Sequence, residues 1–163
     1  MSLVAGSREN KPARATDRTV ELGLLERGGG VVSALRVGQV ATLKRVLSQE
    51  DFNRFAALSG DDNPIHVDPE FSARTRFGRT VSHGMLLYGI ICGALSTHFP
   101  GAVQLQQGLM FPTPAFAGEE ITVRLEVVAV RQEERQARVR TVVSKATGDV
   151  VCQGQTVVRW PGR

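Results

Sequence analysis

The stretch SGDDNPIHVD, residues 59–68, decides how the rest of the chain is interpreted. Asn63 and Pro64 form a strong turn signal, and Asp61 lies just past a segment that has the spacing of an amphipathic helix. We therefore expect Asp61 and His66 to lie on one irregular loop, with their side chains facing a common cavity. A carboxylate and an imidazole held in this way are candidates for acid–base chemistry.

A second stretch, FGRTVSHGM at residues 77–85, leads into the apolar run Met85–Leu95. This run predicts a helix, and the first amides of a helix have no partner within it and lie at its positive dipole end. Gly84 at the start of the run permits close approach to its backbone. Its amide is therefore suited to polarising a carbonyl oxygen on which negative charge develops.

Together, the two stretches closely resemble the hydratase motif of MaoC-like, R-specific enoyl-CoA hydratases, which have a hotdog fold. The matching positions follow the spacing SGDxNPIHxD, then Ala73, Phe77, Gly78, Val81, His83 and Gly84. A fixed pattern of this length is far more specific than a lone glycine motif. A looser similarity extends over residues 38–160 and so covers most of the chain.

The resemblance implies an enzyme that hydrates trans-2-enoyl-CoA to R-3-hydroxyacyl-CoA, or that catalyses the reverse dehydration. It implies a catalytic dyad of Asp61 and His66, with the amide of Gly84 as the oxyanion donor. Asn63 and His83 are assigned to the substrate-binding side of the site. We expect Asn63 to shape the loop or orient the dyad, and His83 to bond a backbone group and fix the start of the helix.

The resemblance also implies an acyl-CoA thioester substrate and a homodimer or higher homo-oligomer, with no cofactor and no metal. The carrier, coenzyme A or acyl carrier protein, stays open, as do the length and branching of the acyl group and the physiological direction. So do two other functions: a hotdog acyl-CoA thioesterase and a non-catalytic acyl-thioester-binding module. The dyad of Asp61 and His66 disfavours the thioesterase, and the complete set of Asp61, His66 and Gly84 disfavours the non-catalytic module. A metal site built from the three histidines is disfavoured because their spacing matches no standard zinc pattern.

Composition narrows the class of protein further. A chain of 163 residues suffices for one domain with a real core. The net charge of +4 is dispersed and aromatic residues make up 6%, a pattern that does not favour nucleic acid binding. Cys92 and Cys152 form no CxxC motif and are expected to be buried thiols in a reducing compartment. Because no signal peptide and no apolar run of the ~20 residues that span a membrane is evident, we expect a cytoplasmic protein that does not enter membranes.

Hydrophobic periodicity predicts an α+β fold. Residues 1–35 are polar and contain Gly28–Gly30, so we expect a flexible N-terminal extension followed by a hotdog domain over residues 36–160. Alternating apolar residues predict strands, and apolar residues at helical spacing predict helices. Ser48, with Asp51 three residues on, predicts a capping box at the start of the first helix. The strands are expected at 40–46, 103–111, 121–127, 137–141 and 150–160, and the helices at 49–58, 70–76 and 83–97. The last helix is apolar on nearly every side, which predicts a helix buried all round. Taken with the resemblance, the alternating strands imply an antiparallel sheet wrapped around this helix.

Overall fold

A computed structural model describes residue 32 and residues 34–162. It contains one antiparallel sheet of five strands, in the order β1-β3-β4-β5-β2, and four helices in the described residues. The elements in chain order are β1 (Val40–Val46), α1 (Gln49–Ser59), α2 (Pro64–Val67), α3 (Pro69–Ala73), α4 (Gly84–His98), β2 (Val103–Met110), β3 (Glu120–Arg131), β4 (Gln136–Lys145) and β5 (Val150–Arg159). The predicted extension at residues 1–35 lies almost entirely outside the described residues, whereas Leu35 is fully buried in the core.

The sheet confirms the predicted strands, and β3 and β4 are longer than expected. Alternate residues of β3 and β4 face the interior, because successive side chains of a strand point to opposite faces of the sheet. The buried members are Ile121, Val123, Leu125 and Val127 on β3, and Ala137, Val139, Thr141 and Val143 on β4. The strands β1 and β2 form the two edges of the sheet.

Helix α4 is the central helix of the fold. It packs against β1 and β3 and contributes one face to the core through Leu87, Ile90, Ile91, Ala94 and Leu95. The expectation that α4 is buried all round is wrong for the single chain. A stripe of Met85, Gly89 and Gly93 remains exposed, and the Met85 side chain is 54% accessible, because the sheet covers only one side of the helix.

The short helices frame the motif. Ser48 and Asp51 form the predicted capping box at the start of α1: the Ser48 hydroxyl accepts from the Asp51 amide and the Asp51 carboxylate accepts from the Ser48 amide. The Asp68 carboxylate accepts from the Phe71 amide and caps α3, which ends at Ala73, earlier than expected. The placement of His66 on an irregular loop is wrong, because Asn63 and Pro64 start the single helical turn α2 instead.

Within the described residues, no helix combines the length and the apolar character needed to cross a bilayer.

Candidate active site

Asp61 is placed by the end of helix α1. Gly60 ends the helix in the left-handed conformation, with φ of 77°, and its amide donates to the Ala56 carbonyl. The chain then turns away from the helix axis, and the side chain of Asp61 is 54% exposed. The motif therefore presents a carboxylate that solvent or a ligand can reach.

The imidazole of His66 is fixed on the short helix α2. The Asn63 side chain accepts from the Ile65 amide at 3.3 Å and caps this turn, which is a loop-shaping role. The Nδ1 of His66 lies 2.7 Å from the carbonyl oxygen of Val81. Because a carbonyl can only accept, Nδ1 carries the proton and Nε2 is left free to accept one.

The free Nε2 of His66 lies 4.0 Å from Oδ2 of Asp61. This separation is too long for a direct hydrogen bond, and it leaves room for one water molecule to contact both atoms. The His66 side chain is only 12% exposed, whereas that of Asp61 is open to solvent. The pair therefore joins a sheltered base to an accessible carboxylate.

His83 lies beneath this pair. Its ring stacks on the His66 ring with the centroids 3.8 Å apart, and its Nε2 donates to the backbone carbonyl of Asp61 at 2.9 Å. The ring is buried, and its Nδ1 has no hydrogen-bond partner among the described residues. Burial lowers the pKa of His83, and the neighbouring His66 lowers it further, although the bond to Asp61 opposes the shift. A neutral His83 therefore contacts both members of the pair.

Gly84 begins helix α4 next to these side chains. No side chain caps this helix terminus, so its first amides face outward. A Cβ atom at position 84 would lie 3.0 Å from the Phe111 ring, which leaves space only for glycine unless that ring shifts. The amide of Ser82 donates to the carbonyl of Ala115 at 2.7 Å and anchors the approach to the helix.

Comparisons with known proteins identify the family of this chain. The model of the MaoC-like domain family matches residues 33–149. This chain belongs to the MaoC-like family. It is 39% identical over 130 residues to the (R)-specific enoyl-CoA hydratase of Aeromonas caviae. The aligned region covers 78% of this chain and 97% of that protein. It is likewise 39% identical over 130 residues to the 3-hydroxybutyryl-CoA dehydratase of Methylorubrum extorquens. The aligned region here covers 78% of this chain and 82% of that protein.

Solved structures of R-hydratases share the fold of this MaoC-like chain. The (R)-hydratase of Aeromonas caviae superposes with a TM-score of 0.76 at 39% identity, covering 80% of this chain and all of that one. The unliganded R-hydratase of Pseudomonas aeruginosa gives a TM-score of 0.75 at 34% identity, covering 79% and 84%. The expected hotdog fold and family are thereby confirmed.

The MaoC-like site contains two residues that the sequence did not reveal. Gln49, the first residue of α1, donates through Nε2 to the backbone carbonyl of His66 at 2.9 Å. Its Oε1 accepts from the hydroxyl of Thr80, which is buried and precedes Val81, the residue that binds the His66 ring. Gln49 lies outside both motif stretches, and Thr80 lies within the second stretch but at none of its matching positions, so neither was identified from the sequence.

Three side chains of the MaoC-like site also form a group with metal-ligand chemistry. Donor atoms of Asp61, His66 and His83 all lie within 4.8 Å of one another. However, one nitrogen of each imidazole bonds a backbone carbonyl, and the two rings are stacked with only 26° between their planes. Since the lone pair of an imidazole lies in the ring plane, nearly parallel rings direct their nitrogens side by side and not toward one ion. The geometry thus favours proton transfer over metal binding.

Proposed function

We propose that this protein catalyses the R-specific hydration of trans-2-enoyl-CoA to R-3-hydroxyacyl-CoA, and the reverse dehydration. The observation that carries the proposal is the 4.0 Å separation of Asp61 Oδ2 and the free Nε2 of His66, beside the uncapped start of α4. The named activities of the relatives, an enoyl-CoA hydratase and a 3-hydroxybutyryl-CoA dehydratase, support the same reaction.

In the proposed mechanism the dyad holds one water molecule. The free Nε2 of His66 accepts one hydrogen of the water, and the carboxylate of Asp61 accepts the other. As the water oxygen bonds to C3 of the enoyl group, His66 takes the proton and becomes an imidazolium. The same proton then passes to C2, so that the elements of water are added and the dyad returns to its starting state.

The amide of Gly84 is proposed as the donor to the thioester oxygen. Attack at C3 moves negative charge through C2 onto this oxygen, so a donor fixed at the positive end of a helix stabilises the transition state more than the ground state. A Cβ atom at position 84 would crowd the Phe111 ring, which would have to shift to admit it. The role of His83 in the proposal is to position the dyad through its stacking on His66 and its bond to Asp61.

We further propose a homodimer in which a second copy of the chain covers an exposed apolar surface. The surface follows the edge strand β2 and the uncovered side of α4, with its large side chains 46–61% exposed: Met85, Val103, Leu105, Met110 and Phe111. Exposed apolar patches and unpaired strand edges both favour association. Light scattering on the purified protein tests this proposal, and a monomer at micromolar concentration would contradict it.

The two cysteines support a cytoplasmic location for the enzyme. Cys92 and Cys152 are both unpaired, which suits a reducing compartment. Burial raises the pKa of Cys152 to about 11, so this thiol is held in its unreactive form. Fluorescence microscopy of a tagged full-length chain in its native cell tests the location.

The proposed reaction is tested with crotonyl-CoA. We expect loss of the enoyl-thioester absorbance without release of free coenzyme A thiol. Release of the thiol would instead identify a thioesterase. Binding of crotonyl-CoA by calorimetry without either change would identify a non-catalytic acyl-thioester-binding module. Crotonyl carried on acyl carrier protein serves as the parallel substrate that decides between the two carriers.

A further inference from the structure

Val81 holds His66 through both of its own backbone groups. Its carbonyl accepts from Nδ1 of His66 at 2.7 Å, and its amide donates to the carbonyl of Ile65 at 3.0 Å. One residue thereby binds the imidazole of His66 and also the peptide group that precedes it. A shift of helix α2 relative to Val81 would stretch both bonds together, so the ring depends on where the backbone of α2 lies.

Thr80 adds a third link, which passes through a side chain of helix α1. Its hydroxyl donates to Oε1 of Gln49, and Nε2 of Gln49 donates to the backbone carbonyl of His66 at 2.9 Å. The same Nε2 donates to the side chain of Asn53 at 3.0 Å, one turn further along α1. A flipped carboxamide would turn its oxygen toward the His66 carbonyl, which can only accept. The orientation of Gln49 is therefore fixed by all of its partners.

The hydroxyl of Thr80 lies where water has little access to take its place. Thr80 is only 5% exposed, and Gln49 is half-buried. Without the hydroxyl, Oε1 of Gln49 loses its donor in a poorly hydrated position, and a rotation that regains a partner takes Nε2 away from His66. The substitution Thr80→Val keeps the shape of the side chain and removes only this donor.

We infer that Thr80 is a positioning residue that acts on His66 through Gln49. It keeps the ring of His66 on the Val81 carbonyl, so that Nδ1 carries the proton and Nε2 remains free to accept one. This inference rests on the proposed hydration, in which Nε2 takes a proton from water. Because Thr80 acts at the backbone of His66 and not at the substrate, its loss should lower kcat and leave KM nearly unchanged.

The kinetic test compares variants of Thr80 in the full-length protein, with crotonyl-CoA as the substrate. Thr80→Val should lower kcat by about 10-fold and change KM by less than about 2-fold, because a displaced acid–base group costs rate and not binding. Thr80→Ser keeps the hydroxyl and should retain kcat within about 2-fold of the unaltered protein. Thr80→Val combined with Gln49→Leu should lower kcat by about 10-fold, as Gln49→Leu does alone, and not by about 100-fold, because the two residues form one link.

A second measurement follows the tautomer of His66 and needs no substrate. Nitrogen NMR of the imidazole at mildly alkaline pH, where the ring is neutral, distinguishes a protonated from an unprotonated Nδ1. The signals of His66 are assigned by their absence in His66→Gln. We expect a protonated Nδ1 in the unaltered protein and in Thr80→Ser, and a mixture of the two tautomers in Thr80→Val.

The control is Thr42→Val, the same chemical change at an exposed residue of β1, and it should alter neither kcat nor the tautomer. Thr80→Ala, which adds no methyl group beside Gln49, replaces Thr80→Val if that variant does not fold. A folded variant without the hydroxyl that keeps its kcat, or keeps Nδ1 of His66 fully protonated, would overturn the inference. Absence of hydration by the folded, unaltered protein would instead refute the proposed function, and the tautomer comparison would still decide whether Thr80 orients His66.

Discussion

The substitution Asp61→Asn separates catalysis from folding in this site. It replaces the carboxylate by an amide of nearly the same shape, so the water proposed between residue 61 and His66 loses its carboxylate acceptor. The Asp61 side chain is 54% exposed, and its 4.0 Å contact with His66 is its one ion pair with the described residues. The backbone bond from His83 to the Asp61 carbonyl is kept, because it does not involve the side chain.

The expected magnitudes follow from this exposure. Loss of an exposed ion pair changes the free energy of unfolding by less than about 1 kcal/mol. Loss of a positioned acid–base group lowers the rate by about 100-fold or more. Since each tenfold in rate corresponds to about 1.36 kcal/mol, the barrier should rise by about 2.7 kcal/mol. The effect on turnover should therefore greatly exceed the effect on stability.

The assay is initial-rate hydration of crotonyl-CoA at saturating substrate, paired with denaturant unfolding of the same preparations. Asp62→Asn is the matched control, because Asp62 is the neighbouring exposed carboxylate and contributes to no ion pair in the described residues. We expect the Asp62 variant to keep its activity and both variants to keep their stability. Near-normal turnover in Asp61→Asn, or equal losses in the two variants, would refute the role given to Asp61.

Three further perturbations test other parts of the structure. Gly154→Ala should destabilise the fold by more than about 3 kcal/mol in denaturant unfolding, because its Cβ would lie 1.9 Å from the carbonyl oxygen of Gly108. Gln49→Leu should lower kcat by about 10-fold with little change in KM, because the backbone of His66 loses its side-chain donor. Because its pKa is lowered from 6.5, His83 is neutral in the fold but protonates in the unfolded chain as pH falls below that value, so stability should decline on acidification. Unfolding midpoints measured as the pH is lowered through 6.5 should decline less in the His83→Asn variant than in the unaltered protein.

Each of these expectations has a clear contrary result. A fully stable Gly154→Ala variant would mean that β2 and β5 approach less closely than the structure shows. An unchanged kcat in Gln49→Leu would leave this residue with a packing role only. An identical pH dependence of stability with and without the imidazole of residue 83 would show that its burial does not disfavour the charged form.

The sequence was sufficient to predict elements whose causes are local. Alternating residues such as Ile121, Val123 and Leu125 predicted β3, and Ser48 with Asp51 predicted the start of α1, because each signal lies within one element. The juxtaposition of Asp61 with His66 followed from a motif with fixed spacing. Even there, α2 was missed, because a single turn started by Asn63 and Pro64 is too short to show periodicity.

Features that depend on tertiary packing could not be predicted from the sequence. The exposed stripe at Met85 could not be inferred from an apolar helix, because only the sheet topology decides which side is covered. The stacking of His66 on His83 and the bond from Gln49 to the His66 backbone join residues that are 17 positions apart. No local pattern specifies such contacts, although they hold the ring and the backbone of His66 in place.

The stereochemistry of the reaction tests the proposed function most directly. The purified protein is given R-3-hydroxybutyryl-CoA and S-3-hydroxybutyryl-CoA separately, and the appearance of crotonyl-CoA absorbance is followed. In the proposed mechanism Asp61, His66 and Gly84 present one face of the enoyl group to the water, and the Aeromonas caviae relative is named as R-specific. We therefore predict dehydration of the R substrate and none of the S substrate. Dehydration of the S substrate at a comparable rate, or of neither substrate by a folded protein, would contradict the proposed function.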